Sequence, residues 1–325
     1  MTTRGKTFFI PTAGRWSGGG TAVLANFRHA AERHPQLRFD RGDIVIVNRN
    51  FSRERDSRPK IMIPQNAWAW HGPRQGAEEY GRALTLRVAA EVSMQRALGV
   101  VRVSRSIPAI GRCYNGYLPN PLDPEFDLAL RESNDLRPPV TDPYFVTIGS
   151  MHGYRGVESV VDAFSRYRRA GGRTNLHIIG GGGTRYVARI ASLIANLPGV
   201  AIHPATLPRP MCLAWTRDAR AAILPSHVEA SPFSLLEALV VQPNVVSRDI
   251  AGHHDIVPPG MPTAQLFKDD QSSNLSQLLH KADDQPGAHT PHPLADDSVR
   301  EHERIRWGNG LITALNVLST EHDLR

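Results

Sequence analysis

The chain has 325 residues, 41% of them hydrophobic, and a formal net charge of +7 with a pI near 9.8. That length suits two α/β domains, each able to bury its own core. No stretch reaches the roughly 20 apolar residues that span a bilayer, and Cys113 and Cys212 alone build neither a disulfide framework nor a cysteine metal site.

The opening MTTRGKTFFIPTAG has a basic start, but its apolar part stops at Pro11 and reads as a first strand, not a secretory leader. A loop, TAGRWSGGG, and a helix over about 21–33 follow. DIVIVN and KIMIPQ are short apolar runs that fit buried parallel strands. A helix is expected over about 77–98, then a strand at VVRVS. Three prolines in LRPPVTDP (136–143) interrupt the alternation and read as an extended linker. A second series then begins: YFVTIGS, the helix GVESVVDAFSRYRRA, NLHIIGGGG, the helix TRYVARIASLIANL, GVAIHP, a helix around 211–217, and AAILPS. In the first of these helices Val157, Val160, Val161 and Phe164 fall on one apolar face. A polar, Pro-rich connection (283–297) precedes a last helix over about 298–318. Strand–helix alternation on both sides of a linker predicts two Rossmann-like, doubly wound domains facing across a cleft, 1–138 and 139–304, with the last helix (about 305–325) returning to the first.

The most informative stretch is ILPSHVEASPFSLLEALVVQPNVVSRDIAGHHDIV, residues 223–257. Glu229 and Glu237 stand eight positions apart across a loop-to-helix junction. Ser231 is a good helix cap and Pro232 suits the first helical position, so a helix over 232–240 leaves the N–H groups of Phe233, Ser234 and Leu235 without intrahelical partners. Such a terminus attracts a diphosphate. Taken alone, Ser231 as a simple cap is the commoner explanation. The flanking carboxylates shift the balance, because carboxylates beside a phosphate site suit sugar hydroxyls.

With those residues in view, PSHVEASPFSLLEAL resembles the paired-glutamate motif of retaining glycosyltransferases of GT-B fold, a GT4-like family also called glycosyl transferases group 1. YFVTIGSMHGYRGVESVVDAF is similar to that family's first strand, loop and helix of the C-terminal domain, with Arg155-Gly156 as its basic residue and glycine. NLHIIGGGG resembles the next strand and turn, YNGYLPNPLDPEF the segment leading into the linker, and Gly18-Gly19-Gly20 the N-terminal glycine loop. The resemblance implies a nucleotide-diphosphate sugar as donor, a hydroxyl acceptor (glycan, lipid-linked or small molecule) and no metal or other cofactor. It places Glu237 on the ribose hydroxyls and Glu229 on the donor sugar. The N–H groups of Phe233, Ser234 and Leu235 fall on sugar and diphosphate, and Arg155 on the departing charge. Gly19 and Gly20 would lie where backbone approaches donor and acceptor. Ser150 lies on the donor loop where many relatives carry arginine, and Gln242 and Asn244 also depart from the pattern. His71, in QNAWAWHGP, resembles a histidine that contacts the donor sugar in relatives; an exposed structural histidine is the competing explanation. Trp68 and Trp70 suit either an acceptor sugar or the core.

Basic residues cluster at Arg49, Arg53, Arg55, Arg58 and Lys60 and at Arg166, Arg168, Arg169 and Arg173. Solvated faces account for such runs first; attraction to anionic ligands or to an anionic membrane surface comes second. No aromatic-interleaved basic platform or recognition helix points to nucleic acid. The adjacent His253 and His254 do not form a metal pair, and Arg185 occupies the third glycine place of a dinucleotide fingerprint at 180–183. The expectation is a cytoplasmic glycosyltransferase with room for peripheral association at the inner membrane face. The alternatives are a nucleotide-sugar epimerase, a GT-B protein that binds nucleotide sugar with little or no turnover, and an inactive basic protein of membrane surfaces.

Overall fold

The computed structural model describes residues 6–11, 19–48, 56–71, 77–257, 260–268, 272–284 and 292–320. In chain order the strands are β1 (Phe8–Phe9), β2 (Leu37–Arg38), β3 (Ile44–Val47), β4 (Lys60–Met62), β5 (Gly99–Arg102), β6 (Cys113–Tyr117), β7 (Tyr144–Ile148), β8 (Asn175–Ile179), β9 (Val200–His203), β10 (Ala221–Leu224), β11 (Val245–Arg248) and β12 (Ala264–Phe267). The α-helices are α1 (Gly19–Arg33), α2 (Trp68–His71), α3 (Ala77–Arg96), α4 (Pro124–Ser133), α5 (Val157–Arg169), α6 (Thr184–Ile194), α7 (Arg209–Asp218), α8 (Phe233–Val241), α9 (Ala251–His254), α10 (Ser272–Asp284) and α11 (Asp297–Thr320). They divide into two compact units. The first comprises Met1–Glu125, Glu229–Phe233 and Ser298–Arg325; the second comprises Phe126–Val228 and Ser234–Asp297. Residues 136–143 lie inside the second.

In the first unit β2-β1-β3-β4-β5-β6 form one sheet whose pairings are all parallel. β3 (IVIV) and β4 (KIM) are buried throughout and apolar except for Lys60, as a sheet covered on both faces requires. The C-terminal helix α11 packs here. Trp307 meets Phe27 edge-on at 5.4 Å, Arg304 Nη1 donates to the Leu122 carbonyl at 3.3 Å, and Lys6 Nζ donates to the Ser319 carbonyl at 3.1 Å.

The second unit has the sheet order β12-β11-β10-β7-β8-β9, again all parallel. Alternate residues serve opposite faces. Phe145, Leu176, Ile178, Ile223 and Val246 join the α5 residues Val160, Val161 and Phe164 in one core. Tyr144, Val146, Ile179, Ala222 and Val245 join Trp215 of α7 and Leu235 and Leu239 of α8 in the other. The apolar face expected of α5 is therefore the face it buries.

Several boundaries differ from expectation. Gly19 and Gly20 are the first residues of α1, not part of the loop; Gly18 lies outside the described residues. Helix α8 starts at Phe233, one residue later than the capping pattern suggests. The edge strands β2, β6 and β12 carry no strand signal in the sequence. They are two to five residues long, and CYNGY in β6 carries no apolar alternation for a period-2 reading to detect. Helix α4 begins with Pro124 and buries Phe126, Ala129 and Ser133, a three-residue stripe too sparse to stand out.

Among the described residues no helix is long and apolar enough to cross a membrane. Of the first basic cluster, Arg58 pairs with Asp56 at 2.7 Å and lies over Phe9, while the Lys60 ammonium is buried against the Asp56 and Arg58 carbonyls. These two cations are spent on the fold. Arg49, Arg53 and Arg55 lie outside the described residues.

Candidate active site

Because every strand of the second sheet points the same way, its loops after β7, β8, β10 and β11 leave from one edge, the edge at which such sheets take ligands. Glycines let the first two loops lie against each other. Gly180 has φ 153°, and a Cβ there would come within 1.8 Å of the Gly149 carbonyl oxygen. A Cβ on Gly182 would meet the Met151 carbonyl oxygen at 2.2 Å, while the Met151 N–H donates to Gly181 O at 2.8 Å. The Gly-rich turn is thus accounted for by backbone-to-backbone packing.

Arg155 ends a single 3₁₀ turn (Gly153–Arg155), and Gly156, at φ 67°, turns the chain into α5. Any other residue at Gly156 would be strained in that conformation. Its Cβ would also meet the Pro225 carbonyl at 2.4 Å, Arg248 at 3.0 Å and His227 at 3.1 Å. This is the physical content of the Arg-Gly pair: the glycine sets the direction from which the arginine leaves. Arg155 Nη1 donates to Ser226 Oγ at 3.3 Å and its guanidinium carbon lies 5.0 Å from the Tyr154 ring centroid. The His227 N–H donates to the Tyr154 carbonyl at 2.9 Å, joining the loop after β10 to the same turn.

Beneath these loops sits Arg248, the last residue of β11 and 1% exposed. Its Nε donates to the Pro225 carbonyl and its Nη2 to Ser159 Oγ, each at 2.6 Å, and it lies over Phe267. Burial pulls its guanidinium down to about 10 and, with the Arg248 charge as the next cause, holds the His227 imidazole down at about 4. Sequence reading missed Arg248. The available signal is an arginine closing the apolar run NVVSR, where burial is expected and needs hydrogen-bond partners.

Glu237 is half-buried in the second turn of α8 and is held by a residue that sequence reading also missed. Arg209 Nε and Nη2 donate to its Oε1 at 2.9 and 2.6 Å. Arg209 is the first residue of α7, where a positive charge opposes the helix dipole and calls for an anion. Ser150 and Arg155 line one depression at the strand ends, Glu237 and Cys212 line a second, and Ser234 lines both. Leu235 is fully buried, so its contribution to any ligand is limited to its backbone. Gln242, a departure from the family pattern, is buried and closes the end of α8, its amide nitrogen donating to the Thr216 and Ala219 carbonyls at 2.6 and 2.9 Å.

The first unit holds the other sequence candidates. Ser231 Oγ accepts the Asn120 N–H at 3.0 Å, and the Asn120 side chain donates to Gln65 Oε1 at 2.7 Å. With α8 starting two residues later, Ser231 anchors its loop to the 118–120 segment. Glu229 is half-buried on that loop, and Phe233 is half-buried at the helix start. Gly19 and Gly20 open α1. His71 is exposed at the end of α2, with Nε2 donating to the Ser106 carbonyl at 2.9 Å. Trp70 Nε1 donates to Glu91 Oε1 at 3.2 Å, fastening α2 to α3. Trp68 begins α2, its N–H bonded to Asn66 Oδ1 at 2.6 Å.

Two parallel six-stranded sheets with flanking helices define the GT-B class, and similar solved structures share it. A sucrose-phosphate synthase from Thermosynechococcus elongatus matches with a TM-score of 0.65 at 13% identity, covering 98% of this chain and 99% of that one. The lipopolysaccharide outer core galactosyltransferase WaaB, apo form, matches at 0.61 and 16%, covering 95% and 98%. A structure described as "Trehalose-6-phosphate from E. coli bound with UDP-2-fluoro glucose" matches at 0.59 and 11%, covering 91% and 77%. At such identities the likeness establishes the fold. No curated protein sequence matches the chain significantly. The family is given by residues 130–291, which match the model described as Glycosyl transferases group 1, and through that segment the chain belongs to this family.

Proposed function

We propose that the protein is a retaining glycosyltransferase that moves a sugar from a nucleotide-diphosphate donor to a hydroxyl acceptor without a metal ion. The observation that carries this reading is the coincidence of the family match over 130–291 with Arg155, Ser234 and Glu237 at the ligand-taking edge of the second sheet. Glu237 accepts hydrogen bonds from the ribose hydroxyls, and Glu229 from hydroxyls of the donor sugar. The N–H groups of Phe233, Ser234 and Leu235, at the start of α8, meet the sugar and diphosphate. Arg155 neutralises charge as the diphosphate departs, with Ser150 beside it as a hydrogen-bonding group. Gly19 and Gly20 allow close backbone approach, and His71 contacts the donor sugar.

In the transfer, the bond from the anomeric carbon to the phosphate oxygen breaks and the acceptor oxygen bonds to that carbon on the same face. The acceptor's proton passes to the departing phosphate oxygen. No protein nucleophile is required; the protein stabilises the developing charge, which a guanidinium and a helix N-terminus do well in a site shielded from water. The E. coli structure bound with UDP-2-fluoro glucose supports a nucleotide sugar as the donor class.

The test is incubation of the full chain with a panel of nucleotide sugars and a crude acceptor pool, followed by mass spectrometry. The proposal expects acceptor-dependent release of nucleoside diphosphate and a product heavier by one glycosyl residue, with anomeric configuration retained. An epimerised sugar nucleotide, or binding without release of nucleoside diphosphate, would contradict it.

A further inference from the structure

The Arg209–Glu237 pair is the feature that the proposed roles do not explain. Its two side chains are only 25% and 19% exposed, so water competes poorly for the charge-assisted bonds between them. The Arg209 guanidinium is also fixed from another side, 5.4 Å from the ring centroid of Phe126 in α4. One turn further along α7, the Cys212 thiol is pushed up to about 11, first by burial and next by the negative charge of Glu237. The carboxylate therefore lies against α7 rather than sweeping through solvent.

A glutamate on a helix surface samples many rotamers, and freezing them on ligand binding costs free energy. A partner that fixes the carboxylate beforehand removes much of that cost. We propose that Arg209 is a positioning residue for nucleotide recognition, holding Glu237 in the orientation that receives the 2′- and 3′-hydroxyls of the ribose. This rests on the role given to Glu237 under the proposed function. Its rivals make different predictions: a staple between α7 and α8 indifferent to ligand, or a latch that nucleotide must open.

Calorimetry on the full chain with UDP, GDP and their 2′,3′-dideoxy counterparts separates these. The wild type is expected to bind the better of the two ribonucleotides more tightly than its dideoxy form. Arg209→Gln should weaken the ribonucleotide about tenfold, the scale of a lost charge-assisted hydrogen bond, and leave the dideoxy form unchanged. Arg209→Lys should restore part of the difference. Arg209→Met, which keeps the packing on Phe126, should behave as Arg209→Gln and covers the case in which the glutamine variant fails to fold. Equal weakening of both nucleotides would reveal a staple, and tighter ribonucleotide binding a latch. Either overturns the inference while leaving the ribose role of Glu237 standing. A wild type that does not distinguish ribonucleotide from dideoxynucleotide overturns the inference and the Glu237 assignment together.

Discussion

The two units are built alike, six parallel strands each, yet their candidate residues are held in different ways. In the second unit Glu237 is fixed by Arg209 and Arg155 leaves a glycine-set turn towards Ser226, while a buried arginine ties the loops from below. In the first unit His71 is exposed and its ring rests on one backbone carbonyl. A nucleoside diphosphate presents the same ribose and phosphates whatever the sugar, so rigid and specific contacts suit its side. Under the proposed function the transferred sugar varies, and a lightly anchored residue such as His71, on the four-residue α2, suits contact with it. The family match follows the same division: it falls on 130–291 and leaves most of the first unit outside.

The largest expected effect is from Arg155→Ala, which should lower turnover about 100-fold or more, the scale for losing one charge-stabilising group. Its melting temperature should stay near that of the wild type; a similar effect on turnover from every half-buried arginine of the second unit would dissolve the special role. Gly156→Ala should destabilise the protein by more than about 1 kcal/mol, since a Cβ there is strained in φ and meets the Pro225 carbonyl. Thermal unfolding checks this; an unchanged midpoint would mean that the turn is not held as described.

Acid should act on the second unit. His177, His227 and His253 are each held down at about 4, chiefly by burial. The neighbouring His203 ring lowers His177 further. In the unfolded chain these groups titrate near 6.5, so between pH 6.5 and 4 the unfolded state binds more protons. Stability is then fully present above pH 6.5 and falls as the pH drops towards 4. Melting followed by circular dichroism should show this loss, and His177→Gln should flatten it slightly. A profile flat from pH 7 to 4 would contradict the buried, neutral state of the three rings.

Much of this contrast is legible in the sequence. The largely apolar runs at 44–47, 144–148, 175–179 and 245–248 name the central strands, because strands covered on both faces are mostly apolar, with the few buried polar residues, such as His177 and Arg248, hydrogen-bonded. The 3.6-residue stripe of α5 likewise names its buried face. The Arg155-Gly156 pair and the two glutamates are visible as a motif. What the sequence does not display is pairing at a distance. Arg209 and Glu237 are 28 positions apart on different helices, and Arg248 meets Ser159 across 89. No periodicity encodes those contacts; they follow from the order in which parallel strands pair. Edge strands such as CYNGY escape notice for a related reason, since an edge needs less apolar surface than a centre.

Whether the second unit holds a nucleoside diphosphate through Glu237, as proposed, is decided by calorimetry of wild type and Glu237→Ala with UDP and GDP. The wild type is expected to bind at least one nucleotide and the variant to bind it about tenfold or more weakly, with a melting temperature without ligand close to that of the wild type. Equal affinity in the two proteins would contradict it.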